Sequence, residues 1–233
     1  MISEYLASEP VQEALKVLRE QFPLAIWETV YVTVLSTFFA TIIGLPLGVL
    51  LVAGENNKII RVPKGLLHAL NVIINLLRSV PFLILMIMVF PLTRLIVGTV
   101  VGTPASVVPL VIAAFPFIAR LVEGSLREIN PNIIEAAQSM GASPFQIIVK
   151  VMIPESVPSL ISNATIAITT VLGYSAMSGI IGGGGLGKIA INYGYKYLIM
   201  IFAVIFLIIL VQVFQSVGTR LAVKSDKRLR NRK

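Results

Sequence analysis

The chain has 233 residues, 56% of them hydrophobic and only 13% charged, with a mean hydropathy of +0.91. Soluble domains hold about 45–50% apolar and about 25% charged residues, so this composition excludes a chain that covers itself with polar surface and points to lipid as its main solvent. The net charge of +8 does not indicate nucleic acid, because seven of the nineteen Lys and Arg residues lie between Arg220 and Lys233, directly after an apolar run; that placement suits anionic lipid, with no aromatic-studded basic groove beside it. Cysteine is absent, which excludes a disulfide framework and cysteine-ligated metal.

The opening MISEYLASEP is acidic and lacks a basic n-region, so no cleaved signal peptide is predicted. Within residues 1–23, Val11, Leu15, Leu18 and Phe22 recur at helical spacing between Glu13, Lys16, Arg19 and Glu20. That stripe predicts an amphipathic interfacial helix. A membrane domain then occupies residues 24–219, followed by a basic cytoplasmic tail at 220–233. Five apolar segments each supply the roughly 20 residues that a helical crossing needs: about 24–54, 66–97, 105–122, 157–181 and 197–217. Backbone facing lipid must satisfy itself, so these are predicted as helices, and the strict alternation of a membrane barrel is missing. The expected fold class is an all-α membrane protein of about five transmembrane helices, with a cytoplasmic helical element between spans 3 and 4.

Orientation follows from the basic residues. One side of a five-span arrangement holds Lys58, Arg61, Lys64, Arg120, Arg127, Lys150 and the tail; the other holds Lys16, Arg19, Arg94, Lys188 and Lys196. The C-terminus is therefore expected in the cytoplasm and the N-terminus outside. Glu28, beside Trp27, reads as an interface anchor, and His68 as an interfacial residue rather than a ligand. Arg78 lies within the second segment and admits two readings: it lines the pathway or holds a gate, or it snorkels at the cytoplasmic boundary.

Residues 130–156, between the third and fourth spans, read as two short helices around a corner. Glu135, Ala136 and Ala137 lie in the first, and Gly141 suits the left-handed position after its end. Ser143 reads as the N-cap and Pro144 as the first residue of the second helix, with Ala142 completing the corner. The second helix is expected to bury Phe145, Ile148, Val149 and Met152, and to end at Pro154. In the fourth span, Asn163, Thr165, Thr169, Thr170, Tyr174, Ser175 and Ser178 supply polar groups that either pack helices or line a route, with Met177 beside them.

The run from Gly182 to Lys188 imitates two nucleotide motifs. Both require a strand before and a helix after, whereas an apolar span precedes this run and Ile189 stands where a P-loop needs Ser or Thr. Gly182, Gly184 and Gly187 are better suited to close backbone packing or a bend at the outer mouth of a pathway, provided protein covers the backbone; a flexible turn is the simpler alternative.

The stretch from Glu135-Ala136-Ala137 through Gly141 to Pro154 resembles the EAA coupling loop of binding-protein-dependent ABC importer permeases, with Val151 and Ile153 at positions where the pattern has Ile and Leu. Arg78 to Phe82, Arg94 to Thr99, Ala119 to Glu123, Gly173 to Gly187 and Ile191 to Tyr195 are similar to permeases of methionine ABC transporters, over roughly residues 25–217. The resemblance implies a homodimer in the bacterial cell membrane, coupled through this loop to cytoplasmic ATPase subunits that hold ATP and Mg, and an extracytoplasmic methionine-binding protein. It implies no cofactor and no ATP hydrolysis on this chain itself, no nucleic-acid partner, and D- and/or L-methionine as cargo carried by alternating access. A permease for another amino acid or small solute stays open, as does an ion-coupled secondary transporter, although only Arg78 offers the mid-membrane charge that such a protein carries. A membrane scaffold that uses the loop for binding alone is a third possibility.

Overall fold

The computed structural model describes residues 9–55 and 59–226. The first residues of the N-terminal segment, Lys58, and the tail from residue 227 onward lie outside the described residues. Those described are helical or irregular, without a strand. In chain order the helices are α1 (Glu9–Glu20), α2 (Phe22–Ala53), α3 (Lys64–Ser79), α4 (Phe82–Met88), α5 (Phe90–Val97), α6 (Thr103–Arg127), α7 (Pro131–Ser139), α8 (Pro144–Gln146), α9 (Ile153–Ser178), α10 (Gly185–Asn192) and α11 (Tyr197–Ser225). Among the described residues, four helical stretches are long and apolar enough to cross a membrane: Phe22–Ala53, Thr103–Arg127, Pro144–Ile181 and Tyr197–Ser225. A fifth crossing results if the bent pair α3 and α4 counts as one span.

Several expectations need correction. The second span is not one helix. Val80 is extended, Pro81 follows, and the chain turns sharply there before α4 begins at Phe82; a residue before proline is pushed out of the helical region. Nor does Pro154 end a helix. A π turn at Ile147–Met152 joins α8 to α9, and the Ile153 N–H bonds to the Ile148 carbonyl. That widened turn carries the helix past a residue with no N–H to donate. The second corner helix buries Ile147 and Met152, while Phe145 and Val149 are exposed. Finally, α11 continues to Ser225, beyond the boundary drawn at residue 219.

The chain divides into two compact units. The first comprises Met1–Thr37, Phe82–Val111 and Ile168–Phe214. Its core is formed by Ala14, Val17, Phe22, Ala25, Leu186, Ile189, Ile199 and Ala203, with the Phe22 and Phe206 rings 5.4 Å apart. The buried face of α1 is thus Val11, Ala14 and Val17, whereas Leu15 is exposed. The stripe read from Val11, Leu15 and Leu18 is displaced because small Ala14 admits the neighbouring helix, and α1 packs on protein rather than on lipid alone.

The second unit comprises Phe38–Pro81, Ile112–Ala167 and Gln215–Lys233. Lipid is as apolar as leucine, so helix association here depends on close approach and polar contacts. A Cβ on Gly44 would lie 2.8 Å from the Phe115 carbonyl, and one on Gly48 2.6 Å from the Ala119 carbonyl. This G-x-x-x-G pair seats α2 directly against α6. Between α6 and α9, Asn163 Nδ2 donates to the Leu121 carbonyl at 3.1 Å and to Ser125 Oγ at 2.8 Å, while Ser159 Oγ donates to Ser125 Oγ at 3.2 Å. These polar groups serve packing.

Candidate functional site: a capped corner and a packed glycine run

The corner after α6 is built from local capping. Asn130 Oδ1 accepts the Asn132 N–H at 3.0 Å, and Pro131 opens α7 where no N–H is needed. At the other end Gly141 has φ +78°; its N–H bonds to the Gln138 carbonyl at 2.9 Å and the Ala142 N–H to the Ala137 carbonyl at 3.1 Å. These paired bonds form a Schellman motif. Ser143 follows at once: its Oγ accepts the Gln146 N–H at 3.3 Å, and its own N–H donates to Gln146 Oε1 at 2.9 Å. Such a capping box satisfies two donors that a helix start leaves open.

α7 packs against the π turn, which buries Ala137 together with Ile147 and Met152. Glu135, Ala136, Gly141, Ser143, Pro144 and Phe145 remain exposed, Ala142 is half-buried and Pro154 is exposed in the first turn of α9. Met140, at 81% exposure, and Phe145, at 73%, place two large apolar side chains on either side of the corner. Sequence reasoning missed Met140, the residue at the end of α7 just before the left-handed Gly141. Glu135 also lines a cleft of about 450 Å³ with Glu55, Arg127, Ile134 and Gln138.

In the first unit the glycine run is a packed element, not a flexible turn. Gly182, Gly184 and Gly185 have positive φ. The Gly185 N–H donates to Glu28 Oε2 at 2.7 Å, and the Leu186 N–H to Thr29 Oγ1 at 2.9 Å. Thr103 Oγ1 donates to the second oxygen of Glu28 at 2.8 Å, and Ser106 Oγ to the Gly183 carbonyl at 3.4 Å. Here Glu28 caps α10 from 157 positions away; its role as a mere interface anchor is corrected. A Cβ on Gly187 would lie 2.1 Å from the Ala176 carbonyl, and one on Gly183 2.3 Å from Ser106 Oγ. The first two N–H groups of α10 are thus taken by a carboxylate and a hydroxyl of α2.

The other candidate pathway residues fall into different settings. Tyr174 is half-buried and stacks on Phe82, with centroids 4.8 Å apart and planes 7° apart. Ser175 and Ser178 are buried and donate to the Leu172 and Ser175 carbonyls at 2.8 and 2.7 Å; Thr33 Oγ1 also reaches Ser175 Oγ at 3.4 Å. Both hydroxyls serve helix packing in this conformation. Met177 is exposed. Arg78 belongs to the second unit, is exposed in the last turn of α3, and makes no hydrogen bond or ion pair with the described residues. Among the described residues no cluster of three or more His, Asp or Glu is placed to hold a metal.

The family model described as binding-protein-dependent transport system inner membrane component matches residues 44–231, which include the whole corner between α6 and α9. The chain belongs to this family. It is a permease subunit, a multi-pass inner-membrane protein and not an enzyme. Among relatives of this permease, the protein named Probable D-methionine transport system permease protein MetI of Vibrio cholerae serotype O1 is 46% identical over 207 residues, spanning 88% of this chain and 92% of the relative. The D-methionine transport system permease protein MetI of Escherichia coli K12 is 49% identical over 154 residues, spanning 66% and 70%. A solved structure titled as inward-facing conformations of the MetNI methionine ABC transporter superposes with a TM-score of 0.85 at 43% identity, covering 94% of this permease and 100% of that chain. An amino acid ABC transporter with histidines, 21% identical with a TM-score of 0.63 over 89% of this chain and 94% of that one, shares the fold.

Proposed function

We propose that this permease carries methionine, as the D or L isomer or both, across the cytoplasmic membrane by ATP-driven alternating access. It does so as a homodimer seated on two ATPase subunits. The coupling corner from Glu135 to Pro154 is the observation that carries this reading. It is rigidly capped at both helix ends, apolar at its tip through Met140 and Phe145, and acidic at Glu135. A groove with apolar walls and a basic rim on a cytoplasmic ATPase would receive it. ATP and Mg act in that partner, and a binding protein delivers the cargo outside. The N-terminus faces outward and the C-terminus inward. Tyr174, Ser175, Met177, Ser178, Gly182, Gly184, Gly187 and Arg78 are assigned to the pathway or its gates.

Supporting the cargo are the methionine names of relatives at 46% and 49% identity. The test is uptake of radiolabelled methionine in cells that lack their own systems, with each unlabelled amino acid as competitor. Competition by D- or L-methionine alone is expected. Equal competition by an unrelated amino acid would assign another cargo, and uptake that survives ATP depletion would assign an ion-coupled transporter. Co-purification of the ATPase with Glu135→Lys and Gly141→Pro variants is expected to fail; full retention with both would overturn the coupling role.

A further inference from the structure

Glu123 is a carboxylate only 9% exposed in α6, and the coupling reading gives it no task. It lies between two guanidinium groups of its own helix. Arg120 Nη1 is 2.6 Å from Glu123 Oε2, and Arg127 donates from Nε and Nη2 to Glu123 Oε1 at 3.1 and 2.8 Å. The spacings i−3 and i+4 put all three on one face. Each arginine also reaches a different neighbouring segment. Arg127 Nη1 donates to Glu55 Oε2 at 2.7 Å, two residues beyond α2. Arg120 Nη2 donates to Asn75 Oδ1 at 2.9 Å on α3. Five side chains thereby form one continuous chain, Glu55–Arg127–Glu123–Arg120–Asn75, with its two carboxylates balanced by its two guanidiniums.

The chain begins where the coupling corner begins. Only residues 128–130 separate Arg127 from Pro131, the first residue of α7. That joint is stiff: Ile129 is buried, its N–H bonds to the Leu126 carbonyl, and Asn130 caps α7. Arg127 and Glu55 line one cleft with Ile134, Glu135 and Gln138 of α7. A push on α7 therefore arrives at the last turn of α6, at the residue that holds both Glu123 and Glu55.

We infer that Glu123 is the hub of a charge brace that makes α2 and α3 move with α6 when the coupling corner is pushed, and that Glu55 and Asn75 are its positioning ends. The inference rests on the coupling reading above. Breaking the ends uncouples ATP hydrolysis from transport without detaching the ATPase, because neither Glu55 nor Asn75 is part of the corner's exposed tip.

The test uses the complete transporter in proteoliposomes, with ATPase and binding protein present, and reads methionine taken up per ATP hydrolysed. The double variant Glu55→Leu/Asn75→Leu leaves the Arg120–Glu123–Arg127 group intact; it is expected to keep ATPase association and to lower uptake per ATP by about tenfold, the range of an ordinary coupling free energy. Asn75→Asp, which offers Arg120 a carboxylate in place of the amide, is expected to retain wild-type uptake per ATP. Unchanged uptake per ATP in the double variant overturns the brace. Should the double variant not assemble, the two single Leu variants decide the matter by the same readout. Gly141→Pro, run in parallel, separates the two claims: if it retains ATPase association and uptake the coupling reading falls, and if it loses them while the double variant transports normally the brace alone falls.

Discussion

The Glu28 carboxylate accepts the Gly185 N–H at 2.7 Å, joining two residues 157 positions apart. This bond, with Thr29 and Thr103 beside it, turns a glycine-rich run into a fixed helix start. An eight-residue helix holding two glycines has little stability of its own. Its N-terminus favours a negative charge, which Glu28 supplies from α2.

Removing that carboxylate has a calculable cost. Glu28→Ala leaves buried N–H and hydroxyl donors unpaired, a loss of about 1–3 kcal/mol, equivalent to a fall in Tm of about 2–4 °C per kcal/mol for a chain of this size. Glu28→Gln retains one acceptor and loses less. Thermal unfolding of the detergent-solubilised transporter checks the order wild type, Gln, Ala.

Gly187 is the tightest site of the run. A Cβ there would lie 2.1 Å from a backbone carbonyl, which cannot swing aside as a side chain can. Gly187→Ala is expected to destabilise by about 3 kcal/mol, the upper range for overpacking, and to lower transport. Gly173→Ala is the control, since a Cβ there meets nothing within 4 Å; at this helical position it stabilises by roughly 0.5–1 kcal/mol. Unfolding and uptake measured on both variants separate close packing from flexibility.

At the coupling corner, Ser143→Ala removes the N-cap and half of the capping box, costing about 1 kcal/mol locally. A knob so loosened is expected to bind the ATPase about fivefold more weakly, that energy expressed as affinity, with the Tm of the spans unchanged. Titrating ATPase onto the reconstituted permease measures it.

The corner was legible because caps are local. Gly141, Ser143 and Pro144 lie within four positions, and each states its backbone demand in its own side chain or lack of one. Long-range or compensated features were not. α10 depends on Glu28 and Thr29, which no pattern near Gly185 announces. Hydropathy registers the apolar character of residues 66–97 but not a change of direction, and Pro81 was the only sign of the break. Pro154 satisfied the rule for a helix end, and a π turn overrode it. The α1 stripe was read through Leu15, whereas the packed face runs through small Ala14, since hydrophobicity ranks residues without asking how closely a neighbour must come.

Accessibility of Ser143→Cys tests the central claim most directly, because the native chain has no cysteine to confuse the label. A membrane-impermeant maleimide is expected to leave intact cells unlabelled, to label inside-out vesicles stripped of ATPase, and to be blocked when the ATPase is restored. Labelling of Ser143→Cys from outside intact cells, or equal labelling with and without the ATPase, would contradict the account.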